Sequence, residues 1–178
     1  NETVLMPQVP RMLSRLYQVS VSNQQDRLPI DSKKLTAVVR RVLCAEKVAS
    51  AEISVALLDD ATIQQINLEY LNHDYPPDVL SFILDVDGGI DPASATARGA
   101  GKILSGEILL GVEEAQRGGT RYNWPAEHEL LLYLVHGLLH LCGYDDTTPK
   151  ERKIMRQREQ EVLAEWGLKP PYLRRTPP

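Results

Sequence analysis

The stretch Leu130-Leu-Leu-Tyr-Leu-Val-His136-Gly-Leu-Leu-His140-Leu-Cys-Gly143-Tyr-Asp145-Asp146 organises this chain. Leu130 to Cys142 is its longest apolar run, too short to span a bilayer and read as a helix buried in a core. Two histidines four apart on a helix stand nearly one above the other, so both imidazoles can address one metal ion. A neutral imidazole buried without a partner costs about 1–3 kcal/mol, and metal coordination supplies the partner that bland core packing lacks. Gly143 suits the end of the helix, because glycine takes the left-handed conformation without a Cβ clash. The chain can then fold back and offer Asp145 or Asp146 as a third ligand. Cys142 is a weaker alternative, lying only two residues after His140. Two histidines and a carboxylate leave a fourth position for water, the open pattern of catalytic zinc.

Outward from this helix, Asn123 and Pro125 mark its start, and Glu127 and Glu129 suit its positive end. Upstream, Tyr17, Val19 and Val21 alternate with polar residues, as do Ile53, Val55 and Leu57, which reads as two strands. Leu35, Val38, Val39, Val42 and Leu43 follow helical spacing behind a cap at Asp31 or Ser32. Asp59 or Asp60 caps a helix with inner face Ile63, Ile66 and Tyr70. Val79 to Leu84 is apolar almost without break, as in a strand covered on both faces. Asp85 to Gly101 reads as a mobile excursion before a strand from Ile103 to Leu110. A short helix begins at Glu113. Downstream, Thr148-Pro149-Lys150-Glu151 is a capping box with proline at the first helical position. Its helix turns Met155, Val162, Leu163 and Trp166 inward and stops at Gly167.

These elements predict an α/β (α+β) fold. It is a small mixed four-stranded sheet packed with about five to six helices, the catalytic helix forming a single layer over it. Residues 1–15 are expected to be an arm, 16–167 one metal-dependent hydrolase domain, and 168–178 a disordered basic, proline-rich tail. With 178 residues, one domain with a sizeable core is the simplest organisation. A net charge of −4 excludes broad coating of nucleic acid by charge alone but permits a local basic patch. Two cysteines and no secretory or transit pattern point to a reducing, cytoplasmic setting without a membrane.

The spacing His-x3-His-x2-Gly-x2-Asp is that of the metzincin metal loop, but Gly137 stands where metzincins carry a glutamate base. The wider string HGLLHLCGYDD resembles the signature HGxLHLxGYDH of the YbeY metalloendoribonucleases, with Asp146 at the third histidine. YLNHDYPPDVLSF (Tyr70 to Phe82), Ser105-Gly106-Glu107-Ile108-Leu109-Leu110 and the Met155-x3-Glu159 pattern are similar to further segments of that family. The resemblance spans roughly residues 50 to 166. It implies one divalent metal per chain, most simply Zn2+, on His136, His140 and Asp146. It also implies cleavage of single-stranded RNA in maturation of the small-subunit ribosomal RNA 3′ end and in ribosome quality control, on ribosomal RNA and ribosomal particles.

Asp78 and Ser81 keep the family's DVLSF pattern and are expected in the cleft, Asp78 toward substrate and Ser81 as a catalytic group. With no glutamate after His136, the general base is metal-bound hydroxide or Asp145. Lys150, Arg152, Lys153, Arg156 and Arg158 form a positive run just after the ligand turn. Such a run is usually a solvated face, but here Lys150, Arg152 and Lys153 are candidates to hold RNA phosphates. The family's arginine before the DVLSF strand is absent, Tyr75-Pro76-Pro77 standing there. Arg98, Arg117 and Arg121 are the candidates to replace it. His73 and His128 read as surface residues. The alternatives are a zinc peptidase or amidohydrolase, and a non-enzymatic ribosome-assembly factor with a structural metal.

Overall fold

A computed structural model of the protein describes residues 10–89 and 97–172. Four strands, β1 (Tyr17–Asn23), β2 (Ser50–Leu58), β3 (Val79–Gly88) and β4 (Lys102–Gly111), form one sheet in the order β1-β2-β4-β3. The first three in that order run parallel, and β3 lies antiparallel on β4. Six helices are described: α1 (Arg11–Leu16), α2 (Ser32–Ala45), α3 (Asp60–Leu71), α4 (Val112–Tyr122), α5 (Ala126–Cys142) and α6 (Pro149–Ala164). The expected mixed sheet and helix number are both present.

The helix starts are the ones the sequence encodes. Asp31 accepts from the amides of Lys33 and Lys34, Asp59 from Thr62, and Thr148 from Glu151, with Pro149 opening α6. Each side-chain oxygen satisfies an amide that the first turn leaves free. Gly143 ends α5 at φ 109°, a left-handed conformation that releases the chain toward the aspartates.

α5 is buried nearly all round because it packs on α2, α4, α6, β3 and β4. Its seat on the sheet depends on two glycines. A Cβ at Gly106 of β4 would lie 2.8 Å from Leu141 Cδ1, and one at Gly137 would lie 2.9 Å from Ser81 Oγ. Both distances are too short for a real side chain, so these positions bring the helix axis close to the strands. The main core lies between α2, α5, α6 and one face of the sheet; a smaller cluster of Ala56, Leu58, Ile63, Leu80 and Leu109 lies with α3.

Three local expectations are corrected. β3 is not covered on both faces: it is the sheet's edge, and Ile83 and Leu84 are 52% and 64% exposed. The excursion is shorter than Asp85 to Gly101, because β3 continues paired with β4 to Gly88, and Ala97 and Ala100 are buried. Its residues 90–96 lie outside the described residues. Tyr70 faces solvent, and the buried inner position of α3 belongs to Asn67, whose amide donates to the Tyr75 carbonyl. At the ends, residues 1–9 and 173–178 of the expected arm and tail lie outside the described residues. The described parts are folded: α1 puts Leu13 into the core, and Leu168 and Pro170 are buried after α6.

Candidate metal centre

His136 and His140 project from the last turns of α5 with their Nε2 atoms 3.0 Å apart. Asp146 Oδ2 lies 3.4 Å from His136 Nε2 and 3.7 Å from His140 Nε2. These three side chains are the one group of potential metal ligands that converges among the described residues. The family resemblance implied this trio, and the turn after Gly143 brings Asp146, rather than Asp145, beside the two imidazoles.

The surrounding bonds fix the tautomers. His136 Nδ1 stands 2.6 Å from Glu159 Oε1, and His140 Nδ1 stands 3.0 Å from the Tyr144 carbonyl. A carbonyl only accepts, so His140 carries its proton on Nδ1 and directs the Nε2 lone pair inward. Glu159 orients His136 in the same sense. Two inward lone pairs and a carboxylate at these distances repel one another unless a cation lies among them. The donor set of two imidazoles and one carboxylate therefore fits a divalent metal and leaves coordination positions open. Without a metal, a proton takes the cation's part. Burial opposes protonation of His136, but Asp146 and Glu159, with Asp78 nearby, outweigh it and raise its pKa to about 10. The bond with His136 holds the Asp146 carboxyl below its usual range.

The ligand turn is anchored on every side. Lys102 Nζ donates to the Cys142 carbonyl at 2.8 Å, a cation at the negative end of α5. Arg152 Nη1 donates to the Asp146 carbonyl at 3.0 Å. The Tyr144 hydroxyl reaches the fully buried Glu46, which also pairs with Arg158. Glu159 is itself only 3% exposed, and its second oxygen accepts from the Tyr172 hydroxyl. Glu159 was within reach of sequence reasoning, since an acid four residues after Met155 and three before Val162 must lie on the inner face of α6. Tyr172 gave no such signal, because it reaches the site from a segment without periodicity.

Two open clefts meet at the ligands. One, of about 500 Å³, is walled by Tyr75, Tyr122, Tyr133, Arg152, Arg156 and Tyr172; the other, of about 460 Å³, runs along Leu71, Ser81 and Ile83 of the β3 side. His136, Asp146 and Asp78 line both. Asp78 is open to solvent through the clefts but crowded by protein on its other sides. This desolvation pushes its carboxyl up, against the opposing influence of His136 and of the Val79 amide it accepts.

The remaining candidates are placed as follows. Asp145, expected as a base, sits in the turn and lines neither cleft: its oxygens accept from the Asp146 and Thr147 amides and from the Thr147 hydroxyl. Ser81, expected as a catalytic group, donates to the Gly137 carbonyl at 3.2 Å and clamps β3 to α5. Lys150 and Lys153, expected on substrate, are exposed and line neither cleft, whereas Arg152 does and Arg156 joins it. Arg98, Arg117 and Arg121, the candidates for the missing arginine, line neither cleft and pair with acids: Glu151, then Asp60 and Glu114, then Glu114. Cys142 is buried, burial pushes its thiol up to about 12, and it is not part of the converging group. His73 stacks on Tyr75 and His128 meets the edge of Trp124, both apart from the ligand trio.

The chain is also similar to known proteins. The family model described as Endoribonuclease YbeY matches residues 20–167. A protein named Endoribonuclease YbeY from Moorella thermoacetica is 40% identical over 155 residues, covering 84% of this chain and 97% of the relative. Its namesake from Pelotomaculum thermopropionicum is 36% identical over 154 residues, with the same coverage. The solution structure of a Thermotoga maritima protein shares the fold, with a TM-score of 0.52 at 22% identity over 88% of this chain and 95% of that one.

Proposed function

The chain belongs to the YbeY endoribonuclease family, and from that premise we propose that it is a metal-dependent endoribonuclease. Its substrate is single-stranded RNA, cleaved in maturation of the small-subunit ribosomal RNA 3′ end and in ribosome quality control. It works in the cytoplasm on ribosomal particles, with one Zn2+ per chain. The carrying observation is that the ligand trio lies where two open clefts meet. A chain that continues on both sides of the scissile bond needs a site open in two directions, as internal cleavage requires. No described helix is long and apolar enough to cross a membrane.

A divalent ion on His136, His140 and Asp146 would supply a Lewis acid that polarises a phosphoryl oxygen and acidifies water. The chain's own residues do the rest. Glu159 and the Tyr144 carbonyl orient the two imidazoles. Asp78, raised in pKa and lining both clefts beside His136, is the carboxylate best positioned to accept a proton from the attacking water. Gly137 supports the nuclease over the peptidase reading. A Cβ at Gly137 would meet Ser81 Oγ at 2.9 Å, Val79 Cγ2 at 3.1 Å and Ile108 Cγ2 at 3.3 Å, so a metzincin's glutamate base there would require its neighbours to shift.

The test is cleavage of a labelled single-stranded RNA, followed by chelation and by His136→Ala. Internal cuts should disappear in both cases, and Asp78→Asn should lower kcat while metal stays bound. Chelator-sensitive peptide hydrolysis without RNA cleavage would reverse the assignment.

A further inference from the structure

Arg156 lies in the wall of the first cleft, half-buried, between Met155 and the turn that carries Glu159. Among the described residues it has no hydrogen bond and no acidic partner. It rests instead on the face of Tyr172, with the guanidinium carbon 5.5 Å from the ring centroid. This sets it apart from the other arginines near the site. Arg98 pairs with Glu151, Arg158 with Glu46 and Glu161, and Arg152 donates to the carbonyl of Asp146. The acid three residues on, Glu159, is already engaged by His136 and by the Tyr172 hydroxyl.

The Tyr172 ring therefore has two anchors. Its hydroxyl is tied to the same glutamate that orients a metal ligand, and its face carries the guanidinium. A stacked guanidinium is pre-ordered, and its planar donors match the paired oxygens of a phosphodiester. One cleft thus holds metal ligands and an unspent cation. The ligand chemistry that satisfies both is a chain with regularly spaced oxyanions. Tyr172 lies beyond residue 167, where the family match ends, so this arrangement depends on a segment outside the matched region.

We propose that Arg156, held by Tyr172, positions the substrate by binding a phosphate next to the scissile one in single-stranded RNA. The inference rests on the endoribonuclease reading above. It is tested with the full chain by two measurements on a labelled single-stranded RNA: binding under chelation, across a salt series, and steady-state cleavage with metal. Arg156→Ala should weaken binding about tenfold, the scale of a charge-assisted hydrogen bond, and should raise KM far more than it lowers kcat. The slope of log affinity against log salt should shrink by about 0.7, the increment for one phosphate of a single strand that is no longer neutralised. Arg156→Lys should recover the slope but only part of the affinity. Tyr172→Ala should weaken binding, and Tyr172→Phe should recover most of that loss. Lys153→Ala, which removes the same charge from the solvent face of α6, should have little effect, and metal content should be unchanged in Arg156→Ala. Wild-type affinity and slope in Arg156→Ala, or an equal loss in Lys153→Ala, would overturn the proposal while leaving the nuclease reading intact. A wild-type chain that neither binds nor cleaves the RNA would remove both.

Discussion

His136 carries the most constrained chemistry of any single residue. Its pKa is set by a contest between burial, which lowers it, and the carboxylates of Asp146 and Glu159, which raise it to about 10. A metal must displace that proton, so binding near neutral pH should release about one proton, and affinity should rise with pH until about 10. Calorimetry in buffers of different ionisation enthalpy counts the proton, and a count of zero would refute the assignment. The sign for stability is also fixed. A group whose pKa rises on folding contributes fully below its unfolded value, here 6.5, and loses that contribution as pH climbs through about 10. Urea unfolding of metal-free protein should therefore weaken over that window, and His136→Ala should flatten the trend. Glu159→Gln should lower metal affinity by about 10–100-fold without removing a ligand, the usual scale for a partner behind a metal-bound histidine. The two candidate histidine ligands were legible because spacing on one helix is local information, and Asp146 because the family resemblance pointed to it. The place of Asp78 in both clefts and of Asp145 in a turn was not, since which carboxylate faces the clefts depends on how β3 meets α5.

Between elements, the decisive contact is α5 on β3 and β4, where Gly137 meets Ser81. The hydroxyl both donates to the Gly137 carbonyl and occupies the space where a Cβ would go. Gly137→Ala should destabilise by about 1–3 kcal/mol through overpacking, and Ser81→Ala by about 1 kcal/mol through removal of one hydrogen bond. The double variant should cost less than the sum, because Ser81→Ala removes the atom nearest the new methyl. Denaturant midpoints of the four proteins measure this coupling. Ser81→Ala should keep metal-dependent cleavage, as a clamp can weaken without loss of chemistry; complete loss of activity in a folded, metal-loaded protein would return Ser81 to the catalytic group. Element identities were readable from capping residues and hydrophobic period. The edge position of β3 was not, because an apolar run gives no sign of strand order. Leu84 at 64% exposure is the visible consequence.

In the whole molecule, the metal trio and its supports connect parts distant in sequence. α5 gives two candidate ligands, the turn after Gly143 gives the third, α6 gives Glu159, and the segment after it gives Tyr172. The mixed sheet followed from the order of strands and helices, but this closure did not, since residues 168–172 have no pattern beyond proline and basic composition. A ligand that binds only the folded state stabilises it by mass action, by about 2.7 kcal/mol at a hundredfold excess over Kd. For a chain of this size, each kcal/mol raises Tm by about 2–4 °C. Saturating divalent metal should therefore raise Tm by roughly 5–10 °C, and His140→Ala should abolish the rise. The C-terminal segment gives the sharper test of the closure. A chain ended after Gly167 retains all three ligands and Glu159 but loses Leu168, Pro170 and Tyr172 from their buried or half-buried places. Its metal-free Tm should fall, because apolar surface is uncovered. Its metal-induced rise should shrink as well, because Glu159 loses the hydroxyl that holds it toward His136. Tyr172→Phe in the full chain separates the two effects: it keeps the packing, so the metal-free Tm should stay near wild type while the metal-induced rise becomes smaller. An unchanged rise in that variant would mean that Glu159 is held by burial alone and that the segment contributes to folding but not to the metal centre.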